Sequence, residues 1–144
     1  MTHLPEHTTS GPGWTATNID ALGAGPGMRK VRAELGVTAF GVNALVFAPN
    51  TYNRWHWHDT QEELYVVLEG TLTLDVGEES VRIGTGGLAR VDAQVHRRLR
   101  NTDGEQLVLL ALGGNNGYVE RDGNMRADEV VAIGAGEPFA FLPE

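Results

Sequence analysis

Two histidines and a glutamate, His56, His58 and Glu63, stand within one short segment of the chain. In a strand, alternate side chains share a face. His56 and His58 therefore point the same way, while Trp55 and Trp57 point the other. After a short turn, Glu63, Tyr65 and Val67 share a face of the next strand. If the two strands pair, two imidazoles and a carboxylate converge. Such a set suits Zn, Fe, Mn, Ni or Cu, and its composition is that of the facial triad of non-haem Fe(II) oxygenases. The reading is a site for a divalent transition metal. The alternative is a pair of surface histidines that happen to be spaced by one residue.

The elements that must position these residues read as strands. Residues 40–47 place apolar side chains on both faces, and Pro49-Asn50 marks a turn. Leu64-Tyr-Val-Val-Leu68 is β-rich and ends at Glu69-Gly70. Leu72, Leu74 and Val76 alternate with Thr71, Thr73 and Asp75, as in a half-buried strand. Gly77-Glu-Glu-Ser80 reads as a hairpin turn before Val81 and Ile83, and Gly84-Thr-Gly-Gly87 as another turn. Leu88–Val91, Arg97–Asn101 and Leu107–Leu112 give further short strands. Many short strands at even spacing predict an all-β sandwich or barrel. No helical periodicity precedes residue 125, and residues 125–133 read as a short helix or one more strand. Residues 1–27, rich in Gly, Pro, Thr and Ser, read as an extended arm or loosely ordered lead-in. The apolar tail, Pro138 to Pro143, is expected to pack on the barrel or on another subunit.

With these residues in view, the chain resembles the cupin superfamily, whose first motif reads G-x5-H-x-H-x3,4-E-x6-G. Asn50 stands in the first Gly place, five residues precede His56, and Gly70 follows Glu63 after six. Asn tolerates the left-handed backbone that Gly would supply. Glu62 fits the shorter spacing, but only Glu63 keeps the distance to Gly70. The resemblance spans about residues 35–113. It implies a double-stranded β-helix, or jelly-roll, barrel over 28–144, with residues 1–27 as an N-terminal arm.

The second cupin motif, G-x5-P-x-G-x2-H-x3-N, is altered. If Asn101 is its Asn, Gly86 is its first Gly, Asp92 and Gln94 replace Pro and Gly, and Arg97 replaces the ligand His. Alternatively, His96 is a fourth ligand and the chain carries one extra residue before Asn101. Strand parity favours the first register. An inward His96 would bury Arg98 and Arg100 as well, and unpaired buried charge is costly. An inward Arg97 is accompanied by Leu99 and Asn101 and leaves Arg98 and Arg100 outside. On this reading Tyr65, Arg97, Leu99 and Asn101 line a substrate pocket. Arg97 cannot ligate a metal. It can clamp an anionic substrate with its bidentate fork, or pair with Glu63 in place of a metal.

Bulk properties narrow the partners. The 144 residues suit one domain, and 19 Gly with six Pro suit strands joined by many turns. A net charge of -8, without a basic face, argues against nucleic acid. No cysteine is present, which removes disulfides and thiolate ligands. The first residues lack the apolar stretch of a signal peptide, and no apolar run could span a membrane. The expected location is cytoplasmic, and a homodimer is expected because sheet edges need cover. The function expected is that of a metal-dependent enzyme acting on a small organic molecule, of oxygenase, isomerase or cyclase type. The alternative is a non-catalytic or metal-free cupin that binds a small polar or anionic ligand inside the barrel through the His pair and Arg97.

Overall fold

The computed structural model describes residues 7–126. Along the chain come β1 (Thr9–Gly11), β2 (Trp14–Ala16), a 3-10 turn (Ile19–Leu22), β3 (Gly27–Arg29) and α1 (Val31–Leu35). Then follow β4 (Gly41–Phe47), β5 (Thr51–Tyr52), β6 (His56–His58), β7 (Glu62–Glu69), β8 (Leu72–Val76) and β9 (Glu79–Ile83). The last are β10 (Leu88–Val91), β11 (Arg97–Asn101), β12 (Leu107–Gly114) and β13 (Gly123–Met125). One sheet runs β10-β7-β12-β4-β3 and the other β13-β6-β11-β8-β9, with β5 also paired to β11. Neighbouring strands within each sheet are antiparallel. This is the jelly-roll barrel that the cupin resemblance implied, within the sandwich-or-barrel class that the strand spacing predicted.

The inner faces of both sheets supply the core, including Phe47, Tyr65, Val67, Leu72, Leu99 and Leu109. β4 is buried on both faces, which explains its continuous apolar character. Leu45 and Phe47 point into the barrel. Val42 and Ala44 point outward and are covered by Val31, Ile19, Leu22 and Leu35.

The covering layer departs from the sequence expectation in two ways. Within the stretch read as an arm, β1 and β2 form a hairpin through Pro12-Gly13, where Gly13 takes φ 80°. Strands of three residues are too short to show a period of two. α1, read as non-helical, is a single helical turn of five residues, likewise too short for a 3.6-residue period to emerge. It stops at Gly36, which takes φ 75° and returns its N–H to the Arg32 carbonyl. The turn before β9 is also tighter than expected, with Val76 pairing directly with Glu79 across Gly77-Glu78. Of the segment read as helix or strand from residue 125, only its start in β13 lies among the described residues. The Pro138–Pro143 tail lies outside them.

Candidate metal centre

β6 and β7 bring the predicted trio together. His56 and His58 are one strand step apart in phase, and both are buried, as is Glu63 on the inner face of β7. One ligand atom from each lies within 4.8 Å of the others. Two turn residues set the frame. Asn50 takes φ 58°, the left-handed conformation argued for it in place of Gly. Gly70 takes φ 81°, and a Cβ there would sit 2.5 Å from the Gln106 carbonyl oxygen, so only Gly fits.

The two imidazoles are oriented by their outer nitrogens. His56 Nδ1 lies 2.9 Å from the Arg54 carbonyl oxygen, which can only accept, so Nδ1 donates and Nε2 carries the lone pair. His58 Nδ1 lies 2.9 Å from Asp122 Oδ1, with the same consequence for the neutral ring. Asp122 also accepts from the backbone N–H of Thr60 at 2.9 Å and of Gln61 at 3.0 Å, and from the Gln61 side chain. Burial alone would raise the Asp122 pKa, but these donors outweigh it and hold it at about 2. His58 Nε2 is 3.1 Å from Glu63 Oε1, yet makes no well-angled hydrogen bond. A buried Nε2 in that condition, a second Nε2 fixed by a carbonyl and a carboxylate form a donor set that fits a divalent transition metal.

Arg97 lies on the inner face of β11, opposite His56, and is fully buried. Its Nη2 donates to Glu63 Oε1 at 2.7 Å and its Nε to the Tyr65 hydroxyl at 3.2 Å. Nη1 donates to the carbonyls of Asp92, Ala93 and Val95. Tyr65 in turn donates to Glu63 Oε1 at 2.7 Å. Burial works to raise the Glu63 pKa, but His56, His58 and Arg97 overcome it and hold the carboxyl well below its usual range. Burial likewise works to lower the His58 pKa, and Glu63 and Asp122 overcome it and raise it. Burial, reinforced by Glu63, pushes the Tyr65 hydroxyl well up.

The model of the cupin domain matches residues 44–113, the stretch from within β4 through most of β12, with every member of the trio. The chain is a cupin. No curated protein sequence matches it. Among solved structures it is similar to a cupin protein from Bacteroides fragilis, at 19% identity and TM-score 0.59 over 77% of this chain and 93% of that one. It is also similar to a sugar phosphate isomerase of the superfamily from Silicibacter pomeroyi, at 23% identity and TM-score 0.57 over 61% of this chain and 58% of that one. A third is a DMSP lyase from Ruegeria pomeroyi, at 20% identity and TM-score 0.55 over 65% of this chain and 46% of that one. The chain thus spans about half the length of the latter two. At these identities the likeness establishes the fold.

Against the cupin pattern, the second motif is where this chain differs. His96, weighed as a fourth ligand, stacks on Trp57 at 4.1 Å on the outside of the barrel and is not part of the trio. Arg97 occupies the inward position. Arg98 and Arg100, expected on the outside, lie on the outer face, partly exposed, and bind Asp75 at 2.9 and 2.6 Å. The four residues expected to line a substrate pocket do not border the cavity next to the trio. A cavity of about 60 Å³ opens beside His58 and Glu63 and is lined by Asn43, Gln61, Tyr118 and Met28 among others. Tyr65, Arg97, Leu99 and Asn101 do not line it. Tyr65 and Leu99 belong to the core, and Asn101 ties the Phe47, Ala48 and Glu105 carbonyls together. Arg97 sits behind Glu63 and donates to its carboxylate. Inward parity was the reason to place these four at the pocket, but in a filled barrel inward-facing residues are mostly core.

Two partners of the site were not legible in the sequence. Asp122 stands 64 positions from His58, beyond the reach of any local spacing pattern. Asn53 is buried and accepts from the Leu99 N–H at 2.9 Å, which pins the approach to β6 against β11.

Proposed function

We propose that this cupin is a metal-dependent enzyme acting on a small organic molecule, with His56, His58 and Glu63 holding one divalent transition ion, Zn, Fe, Mn or Ni. The observation that carries the reading is the pair of acceptors, Arg54 O and Asp122 Oδ1, on the two Nδ1 atoms. They orient both Nε2 lone pairs toward Glu63, an arrangement with little purpose for histidines that merely fill space. Such an ion would supply Lewis acidity or an activated water. The cavity beside His58 and Glu63 would admit the substrate, and its small volume favours a compact one. Gln61 and Asn43 would orient polar groups there. Enzymes among the similar structures, an isomerase and a lyase, support a catalytic role without naming the reaction.

Charge supports an anionic substrate. Glu63 and Arg97 already cancel, so a divalent ion with two neutral histidines leaves a net positive site. A carboxylate, phosphate or bound hydroxide would relieve it.

The test is elemental analysis after metal-replete expression. About one ion per chain is expected, with loss in His56→Ala and His58→Ala and retention in His96→Ala. Less than about a tenth of an ion per chain would refute the metal site, since an intact trio binds appreciably. That result would favour the second reading, a metal-free ligand-binding cupin, for which the Arg97–Glu63 pair at 2.7 Å is the supporting observation.

A further inference from the structure

Side-chain alternation along β3 separates two regions of the molecule. Met28 pairs with Leu45, packs on the core and lines the cavity beside His58 and Glu63. Its neighbour Arg29 pairs with Ala44 and points to the opposite, outer face of the sheet. Arg29 is only 5% exposed. Its Nη2 donates to the Gly25 carbonyl at 2.7 Å, and its Nε has no hydrogen-bond partner. Among the described residues no carboxylate forms an ion pair with it. A buried guanidinium is costly unless its charge and donors are met.

The surroundings supply a place for what would meet it. A pocket runs along the outer face between Asn18–Gly25 and the strands, lined by Arg29, Val46, Val108, Gln106, Asp20 and Glu69 among others. Gly23 packs its backbone on the Arg29 side chain. A Cβ there would fall 2.8 Å from Cδ and 2.9 Å from Nε, so a larger residue would displace the guanidinium from its present place. Gln106 is oriented by a bond from its Nε2 to Glu69 Oε2 at 3.1 Å. One fixed cation stands among polar groups, with two carboxylates, Asp20 and Glu69, also in the wall. A bare anion meets Arg29 but is repelled by the acids. An oxyanion that carries hydroxyl groups satisfies both, with the oxyanion on Arg29 and hydroxyl donors on Asp20 and Glu69.

We propose that Arg29 and the Gly23–Gly25 loop form a second binding site, on the outside of the barrel and separate from the metal centre, for a small hydroxylated oxyanion such as a polyol phosphate or hydroxycarboxylate. Glycerol 3-phosphate is the probe, with inorganic phosphate and glycerol as its two halves, followed by thermal melting and calorimetric titration of the whole chain. At about 100 times the dissociation constant, glycerol 3-phosphate raises the melting temperature by about 5 °C or more. Arg29→Met and Arg29→Gln abolish the shift, while His58→Ala keeps it. No shift in the wild-type protein at tens of millimolar, or an equal shift in the Arg29 variants, overturns the site. An effect of inorganic phosphate as large as that of glycerol 3-phosphate overturns the role given to the hydroxyl groups. Loss of the shift in His58→Ala would assign it to the metal centre instead. Since the wild-type titration needs no variant, a misfolded substitution leaves the test intact.

Discussion

Glu63 Oε1 faces both histidines and receives hydrogen bonds from Tyr65 and Arg97. The same carboxylate thus has two claims on it, a buried guanidinium and any bound ion. Arg97→Met removes the first claim. In the metal-free protein it leaves a buried carboxylate short of its partner, and chemical denaturation should report a loss of about 3–5 kcal/mol. Added metal should restore more stability to that variant than it adds to wild type, as read by thermal melting. Arg97→His should raise metal affinity at least about tenfold in competition with a chelator, because it removes a nearby positive charge and adds an imidazole. Affinity should also depend on pH through His58. Its pKa is raised above 6.5, so below that value the ion must displace a proton. Apparent affinity therefore climbs about tenfold per pH unit from the acid side and levels off once His58 is neutral. A flat profile from pH 5 to 9 would exclude His58 as a ligand.

At the scale of elements, the site depends on how β13 closes against β6. Met125 pairs with His56 and Gly123 with His58, and this pairing delivers Asp122 to the β6–β7 turn. Asp122→Ala releases the His58 ring and strips acceptors from the Thr60 and Gln61 backbone. Metal affinity measured by equilibrium dialysis should fall about 10- to 100-fold. The same contact gives an acid dependence with a definite sign. Asp122 is depressed from 3.8 to about 2, so its stabilisation is complete above the unfolded value and disappears as pH falls from about 4 to about 2. Wild type should lose up to about 2 kcal/mol over that window relative to Asp122→Asn, which lacks the titrating group. Parallel acid-unfolding curves for the two proteins would show that the contact carries no such linkage. The longer strands were legible from two-residue alternation or, for β4, from a continuous apolar run. β13 and the N-terminal hairpin were not, because three residues of strand hold no period.

For the molecule as a whole, the covered and uncovered parts of the outer sheet face differ. The N-terminal layer shields Val42 and Ala44, whereas Leu64, Leu68 and Leu88 remain exposed on β7 and β10. A homodimer burying these side chains remains the expectation. Light scattering should give about twice the chain mass, and Leu88→Glu should return it to one. A monomeric wild type rejects this. The barrel and the trio could be read from sequence because both rest on short-range regularity, alternate residues on a strand and fixed spacing between ligands. The inward direction of Arg97 could be argued from parity, since one choice buries a single arginine and the other buries two. Tertiary structure alone decided what surrounds these groups. Asp122 reaches His58 across 64 residues, Arg97 stands behind Glu63 and bonds to it, and His96 lies outside against Trp57. Alternation assigns a side chain to a face. Whether that face is filled core, metal site or cavity depends on which distant strands close over it, and no local pattern carries that.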